Sequence, residues 1–245
     1  MSYNCTQLNP DSNFERHVYH RDMFAHYLRW SHVLKRAKIN LNILDFGSGS
    51  GNLLEVFYRN KFKCNEYLGL EYRKQTVKLA NEKFKMIPWA SFKQADLTKP
   101  EVFLPKKIGE WDYIISFEVI EHVGKKNIHK FLANAYRQMG PKTKFIISTP
   151  IYDPKVGAAE NHIIDGVIGE LTYKEMKSAL EKAHFKIEEH YGTFASIKDY
   201  KKKMNDWQVK MFEHLQKYYD SNLVSVIMAP FFPEVSRNCL WVCSK

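Results

Sequence analysis

The sequence predicts an α/β fold: a doubly wound, mostly parallel sheet with helices on both faces. Three observations predict it. From residue 41 to about 191, short apolar runs alternate with segments of helical period. The run 112–117 (DYIISF) is continuous and β-branched, as a strand buried on both faces should be. No repeat, low-complexity tract or long Gly/Pro/Ser linker interrupts the 245 residues, so one α/β domain can fill them.

The elements follow in order. Residues 42–46 (NILDF) read as a strand running into a glycine loop, and 53–58 as a buried helix. Residues 67–71 (YLGLE) are a second strand, 75–84 a second helix and 90–95 a third strand. After the strand 112–117, Ile128, Phe131, Leu132, Ala135 and Met139 recur at helical spacing. Residues 144–148 (KFIIS) are a fifth strand, closed by Thr149-Pro150. Thr172 and Glu175 stand in capping-box spacing, so a helix starts there and runs to about Ala183. Residues 185–191 and 238–243 supply the sixth and seventh strands.

Two segments stand outside the alternation. Residues 20–37 form an amphipathic pattern through Met23, Phe24, Tyr27, Leu28 and Leu34. Residues 198–219 form another through Tyr200, Met204, Trp207, Met211, Leu215 and Tyr218. Each is expected to cover an edge or face of the sheet, or to act as a lid over a pocket.

Composition bounds the function. An apolar fraction of 44%, with 14% aromatic, excludes a disordered chain. No run approaches about 18 apolar residues, so no membrane span is expected. The N-terminus has no basic stretch followed by an apolar one, so no secretory signal is expected either. Cys5, Cys64, Cys239 and Cys243 make no CxxC pair and read as free thiols of a reducing, cytoplasmic setting. The 37 Lys and Arg against 27 Asp and Glu give a charge of +10, which suits a nucleic-acid partner or simply a solvated lysine-rich face.

The most informative segment is Asp45-Phe46-Gly47-Ser48-Gly49-Ser50-Gly51, between a strand and a helix. Glycines let backbone turn tightly and approach a ligand where a Cβ would clash. A Walker loop would end in Gly-Lys-Ser/Thr, and a nicotinamide loop would read G-x-G-x-x-G; neither fits. The observed D-x-G-x-G-x-G resembles motif I of class I S-adenosylmethionine-dependent methyltransferases. Three further marks extend the resemblance: Glu71 ending the second strand, Ala95-Asp96-Leu97 after the third, and Phe117-Glu118-Val119-Ile120-Glu121-His122 after the fourth. It covers residues 41–191 and implies a seven-stranded, Rossmann-like methyltransferase sheet with extra N- and C-terminal helices. Residues 1–40 are then an N-terminal helical extension. Residues 41–245 are the cofactor-binding domain, with a helical insertion near 198–219.

The resemblance implies S-adenosylmethionine as cofactor. Asp45, Phe46, Gly47, Ser48, Gly49 and Gly51 would meet the methionyl part. Glu71 would accept both ribose hydroxyls, with Tyr72 beside it, and Asp96 and Leu97 would meet the adenine. Phe117 and Glu118 would close the site.

The segment after the fourth strand is not [DNS]-P-P-[YFW], and no Pro-Cys follows it. Transfer to oxygen or nitrogen by direct displacement is therefore expected, needing alignment and a route for the acceptor proton. Glu118, Glu121 and His122 would converge on one face of a helical turn. His162, in the loop after the fifth strand, would reach the same edge of the sheet. This group resembles the E-x-x-E-H plus downstream His of small-RNA 2′-O-methyltransferases. A similar segment occurs in ubiquinone-type O-methyltransferases. Mg²⁺ or Mn²⁺ on Glu118, Glu121, His122 and His162 is one implication. Glu118, His122 and His162 as metal-free catalytic or orienting groups are another. The loop 150–170, with Tyr152 and Asn161, and the later Arg237 are candidate substrate contacts.

Three functions stay open. A nucleic-acid or nucleotide methyltransferase would gather its lysines at the pocket mouth. A small-molecule O- or N-methyltransferase would close an apolar pocket with its extra helices. A non-catalytic binding protein would fail to bind the cofactor.

Overall fold

The computed structural model describes residues 21–38, 40–99 and 109–245. Seven strands form one sheet: β1 (Leu41–Phe46), β2 (Cys64–Glu71), β3 (Ala90–Gln94), β4 (Tyr113–Phe117), β5 (Lys144–Pro150), β8 (Lys186–Phe194) and β9 (Asn238–Ser244). Their order is β3-β2-β1-β4-β5-β9-β8. All pairings are parallel except those of β9, which runs antiparallel to both β5 and β8. The order reverses between β1 and β4. In a doubly wound sheet that switch point, at the carboxyl ends of the strands, is where a ligand crevice opens.

Strand alternation splits the core into two layers. Leu44, Phe46, Ile114, Phe145 and Ile147 face α4 (Ile128–Gln138) and α5 (Tyr173–Lys182). Ile43, Ile115, Ile146 and Leu240 face α1 (Arg21–Leu34), α2 (Asn52–Arg59) and α3 (Lys74–Lys83). Burial on both faces is what the unbroken apolar runs of β1, β4 and β5 required. The Thr172 capping box is formed: its hydroxyl accepts from the Glu175 amide, and Glu175 returns to the Thr172 amide at 2.9 Å. Cys64, Cys239 and Cys243 are free and buried, and Cys5 lies outside the described residues.

Three expectations need correction. The stripe of α1 is rotated: Ala25, Arg29, Trp30 and Val33 are buried, whereas Tyr27 is exposed. His32 stacking on Tyr191 at 4.4 Å and the Arg36–Glu189 ion pair fix that rotation. The helix expected near 198–219 is broken into α6 (Ile197–Tyr200), a turn at Lys201–Lys203 and α7 (Asp206–Leu215). The break falls where Asn205 starts α7 with its own capping box to Gln208. A further helix, α8 (Ser221–Met228), precedes β9. The loop after β5 is likewise not structureless. Its Asp165-Gly166 turn, with both φ positive, closes a small hairpin of β6 (Ile163–Ile164) and β7 (Val167–Ile168).

Candidate active site at the carboxyl edge of the sheet

The glycine loop leaves β1 with Gly47, Gly49 and Gly51 all at positive φ (82°, 53° and 87°). The Gly47 and Ser48 amides donate to the Leu70 carbonyl at 2.8 and 3.0 Å, which ties the loop to β2. A Cβ on Gly51 would stand 2.5 Å from Phe84 and 2.8 Å from Phe92. A Cβ on Gly47 would run into the Val119 side chain. Gly49 has nothing within 4 Å on that side. Two of the glycines thus serve packing, and the middle one faces open space.

Asp45 is buried beneath this loop and accepts a hydrogen bond from the Tyr67 hydroxyl. Burial raises its pKa to about 7; the Tyr67 bond opposes the shift, and the nearby Glu71 adds to it. Glu71 ends β2 with Oε1 accepting from the Arg73 amide at 2.9 Å. The Ser48 hydroxyl is buried without a hydrogen-bond partner. Tyr72 has an exposed side chain. Asp96 accepts from the Thr98 amide and hydroxyl through Oδ1, and Leu97 is buried beside it. Phe117 is half-buried at the end of β4.

Glu118 departs from its expected place. It sits at φ 58°, so the turn Ile120–His122 that follows starts in another direction. Glu118 is not among the residues whose ligand atoms come together with Glu121 and His122, although its carboxylate is near enough to raise the pKa of Glu121. Its Oε1 accepts from Ser148 at 2.8 Å and its Oε2 from Asn238 at 2.6 Å. Arg29 Nη1 on α1 lies 3.5 Å from Oε1. Arg29 itself is 3% exposed, and its Nε is buried without a hydrogen-bond partner.

The other three residues do converge. Ligand atoms of Glu121, His122 and His162 lie within 4.8 Å of one another. The two imidazoles meet edge to face at 4.8 Å. Glu121 is buried and accepts from the Thr149 hydroxyl at 3.0 Å. Burial, then the neighbouring Glu118 and Glu170 carboxylates, hold its pKa well above the usual range. His162 Nδ1 is 2.5 Å from Glu170 Oε1. Glu170 also receives the Ala159 amide. The hairpin holds this group shut: Gly169 donates to the His162 carbonyl at 2.7 Å. A Cβ at Gly169 would strike the Glu121 carbonyl.

Arg29 and Glu170 were missed in the sequence. Nothing near Arg29 marks it, because its partner is 89 residues away. Glu170 had one available signal, a carboxylate closely following His162. Arg237 is corrected: it is paired with Asp153 at 2.7 Å and Asp199 at 3.3 Å, so it braces the 150–170 loop against α6 instead of standing free for a substrate. Tyr152 is half-buried, its amide bonded to the Leu171 carbonyl. The Asn161 side chain lies outside the described residues. A groove of about 960 Å³ between α4 and α5, lined by Lys125, Leu132, Tyr136, Lys174, Lys182 and Lys245, includes none of the expected site residues.

A mostly parallel sheet with a glycine loop at its switch point and an acid ending the next strand defines a Rossmann-like protein built to hold a nucleoside cofactor. A methyltransferase domain model matches residues 16–223. The chain belongs to that family and is a class I S-adenosylmethionine-dependent methyltransferase. No curated protein matches it. Among solved structures it is similar to a TehB-like S-adenosylmethionine-dependent methyltransferase from Corynebacterium glutamicum. That match has 15% identity and TM-score 0.58, covering 89% of this chain and 86% of that one. It is also similar to the methyltransferase domain of bacterial CtHen1-CN, at 17% identity and TM-score 0.57, covering 90% and 100%. A Mesorhizobium loti S-adenosylmethionine-dependent methyltransferase matches at 16% identity and TM-score 0.58, covering 92% and 100%. Identities this low speak to the shared fold. No helix among the described residues is long and apolar enough to cross a membrane.

Proposed function

We propose that this enzyme methylates an oxygen or nitrogen of a nucleic acid or nucleotide, with the acceptor placed over Glu121, His122 and His162. The observation that carries the reading is the seat of Val119 against Gly47. It joins the cofactor loop to the turn bearing Glu121 and His122, so donor and acceptor sites share one edge.

The residues fit S-adenosylmethionine. Gly49 leaves open space on its Cβ side, the buried Ser48 hydroxyl beside it is without a hydrogen-bond partner, and the buried Asp45 carboxyl ends the strand that leads into the loop. When bound, the cofactor supplies an electrophilic methyl group on a sulfonium. Asp45 and the loop amides hold the methionyl ammonium and carboxylate, and Arg29 adds positive charge on the carboxylate side. Glu71 accepts from the ribose hydroxyls. Asp96, with Oδ1 spent on Thr98, offers Oδ2 to the adenine amino group, and Leu97 packs the ring.

Glu121, His122 and His162 also fit a divalent cation. One carboxylate and two imidazoles form a mixed donor set that suits Mn²⁺ better than Mg²⁺. Glu170 orients His162 in the way a carboxylate commonly orients a ligating imidazole. A cation there supplies a Lewis acid toward the acceptor hydroxyl. Glu118 is spent on Ser148, Asn238 and Arg29 and is not among the ligands. The chain's charge supports a polyanionic acceptor, since the carboxyl edge carries the lysines of the insertion between β8 and β9.

The test is methyl transfer from labelled S-adenosylmethionine to RNA, DNA and a metabolite extract in parallel, with and without chelator. Label in nucleic acid, lost in chelator and restored by Mn²⁺, is the expected result. Label only in small metabolites overturns the acceptor class. Full activity in chelator removes the cation and leaves His162, oriented by Glu170, as general base.

A further inference from the structure

β8 ends at Phe194 and β9 begins at Asn238, paired with Pro150 at the carboxyl end of β5. The segment between them therefore sits at the edge that holds the glycine loop and the Glu121 group. It has its own small core. Tyr200 is fully buried and stacks on Phe232 at 4.8 Å and 7°, with Phe212, Val224 and Met228 around it. This removes Tyr200 from the ring surfaces a substrate can reach.

Four rings of the same segment stay outside: Trp207, Tyr218, Tyr219 and Phe231. Trp207 is 57% exposed and Phe231 43% exposed, and they meet edge to face at 5.7 Å. Burying such rings is among the largest apolar gains available to a fold. Their neighbours Tyr200 and Phe232 took that gain, and these two did not. Phe231, Lys203 and His190 line a depression of about 370 Å³ that also includes Glu234. Lys201, Lys202 and Lys203 form an exposed turn just before Trp207, and Lys210 follows one helical turn after it. None of these four lysines forms an ion pair among the described residues. By contrast, Lys125 and Lys126 are each held by an acid, Glu175 and Asp165.

We propose that Trp207 and Phe231, with the Lys201–Lys203 turn, are a stacking platform for single-stranded nucleic acid that holds the acceptor strand beside the catalytic edge. The proposal rests on the nucleic-acid reading above and adds that the strand is single and where it binds. Unpaired bases have π-faces for the rings, and their phosphates match the unpaired ammonium groups; such binding needs both features together. A protein partner fits less well, because four lysines would have to be desolvated where interface cores are depleted of lysine. A bilayer fits less well too, because most of the remaining apolar surface of α7, from Met211, Phe212 and Leu215, packs inward and leaves only Val209 exposed beside Trp207.

The test is fluorescence anisotropy of labelled single-stranded RNA and DNA 20-mers with the full chain, over a salt series. Binding to single strands should exceed binding to a duplex of the same length by ten-fold or more. Trp207→Ala with Phe231→Ala should weaken it at least ten-fold. Replacing Lys201, Lys202 and Lys203 by Glu should weaken it and reduce the salt slope by about 2, at about 0.7 per phosphate contact. Both variants should keep the wild-type melting temperature and affinity for S-adenosylmethionine. Unchanged oligonucleotide affinity in the ring variant overturns the platform, as does failure of the wild type to bind single strands at low salt. If oligonucleotides bind through the platform but accept no label, the platform stands and the acceptor assignment falls. If RNA is labelled equally well by the ring variant, the acceptor assignment stands and the platform falls.

Discussion

Glu170 Oε1 lies 2.5 Å from His162 Nδ1, across the base of a short hairpin. The hairpin of β6 and β7 folds back eight residues to make this contact. With Nδ1 engaged by Glu170, Nε2 is the ring nitrogen of His162 left for a ligand. Carboxylates in this position typically matter ten- to a hundred-fold to a site. Glu170→Gln should therefore lower methyl transfer by about that factor. Mn²⁺ titration should show a matching loss of apparent affinity, with the melting temperature nearly unchanged. An equal fall in stability would reduce Glu170 to a brace of the hairpin.

Asp45 carries a pH dependence whose sign is fixed. Its pKa in the fold is about 7 against an ordinary 3.8, chiefly from burial. The unfolded chain releases that proton first. The stabilising contribution of the protonated carboxyl is complete below about pH 4 and is lost as the pH rises through 7. Three units at about 1.4 kcal/mol each put the whole effect near 4 kcal/mol. Asp45→Asn should remove it: the melting temperature of the variant should climb relative to wild type between pH 5 and pH 8. Cofactor affinity should fall in the same variant. Parallel curves across that range would show that Asp45 titrates as an ordinary carboxyl.

The glycine loop separates packing from binding. In Gly51→Ala the new Cβ meets Phe84 and Phe92 at 2.5 and 2.8 Å, at a φ of +87°. The two rings are stacked at 5.7 Å and have little room to yield. A loss of about 3 kcal/mol in stability is expected. Gly49→Ala pays only for its left-handed backbone, about 1 kcal/mol, and its Cβ projects into open space. Calorimetry should therefore find Gly49→Ala folded and at least ten-fold weaker for S-adenosylmethionine, whereas Gly51→Ala is first of all unstable.

What the sequence disclosed follows the range of the interactions involved. β1, β4 and β5 were legible because their alternation and apolar runs are local consequences of burial on both faces. The Thr172 capping box was legible because its parts are three residues apart. The grouping of Glu121, His122 and His162 followed from strand ends sharing an edge. Glu118 was misplaced because its side depends on one residue's φ of 58°, which no periodicity reports. The partners of Arg237 were not legible because its acids, Asp153 and Asp199, are 84 and 38 residues away, on the loop after β5 and on α6. The continuous stripe of 198–219 concealed a break set by Asn205. Tyr200 and Trp207 then went to opposite sides, one into a core and one to solvent.

Arg29 tests whether α1 is part of the site or only covers it. Its guanidinium is buried, reaches Glu118 at 3.5 Å and bonds His26 Nδ1 at 2.8 Å, yet leaves Nε without a hydrogen-bond partner. A buried cation so partly satisfied is a poor stabiliser, and a ligand anion would complete its partners. Glu118 is a quarter exposed, so solvent screening limits the pair to about 1–2 kcal/mol. A double-mutant cycle with Arg29→Ala and Glu118→Gln should show coupling of that size in the cofactor-free protein. Saturating S-adenosylmethionine should protect wild type from thermal unfolding by several degrees more than it protects Arg29→Ala. Equal protection would confine α1 to covering the sheet, with the cofactor held by the glycine loop, Asp45 and Glu71 alone.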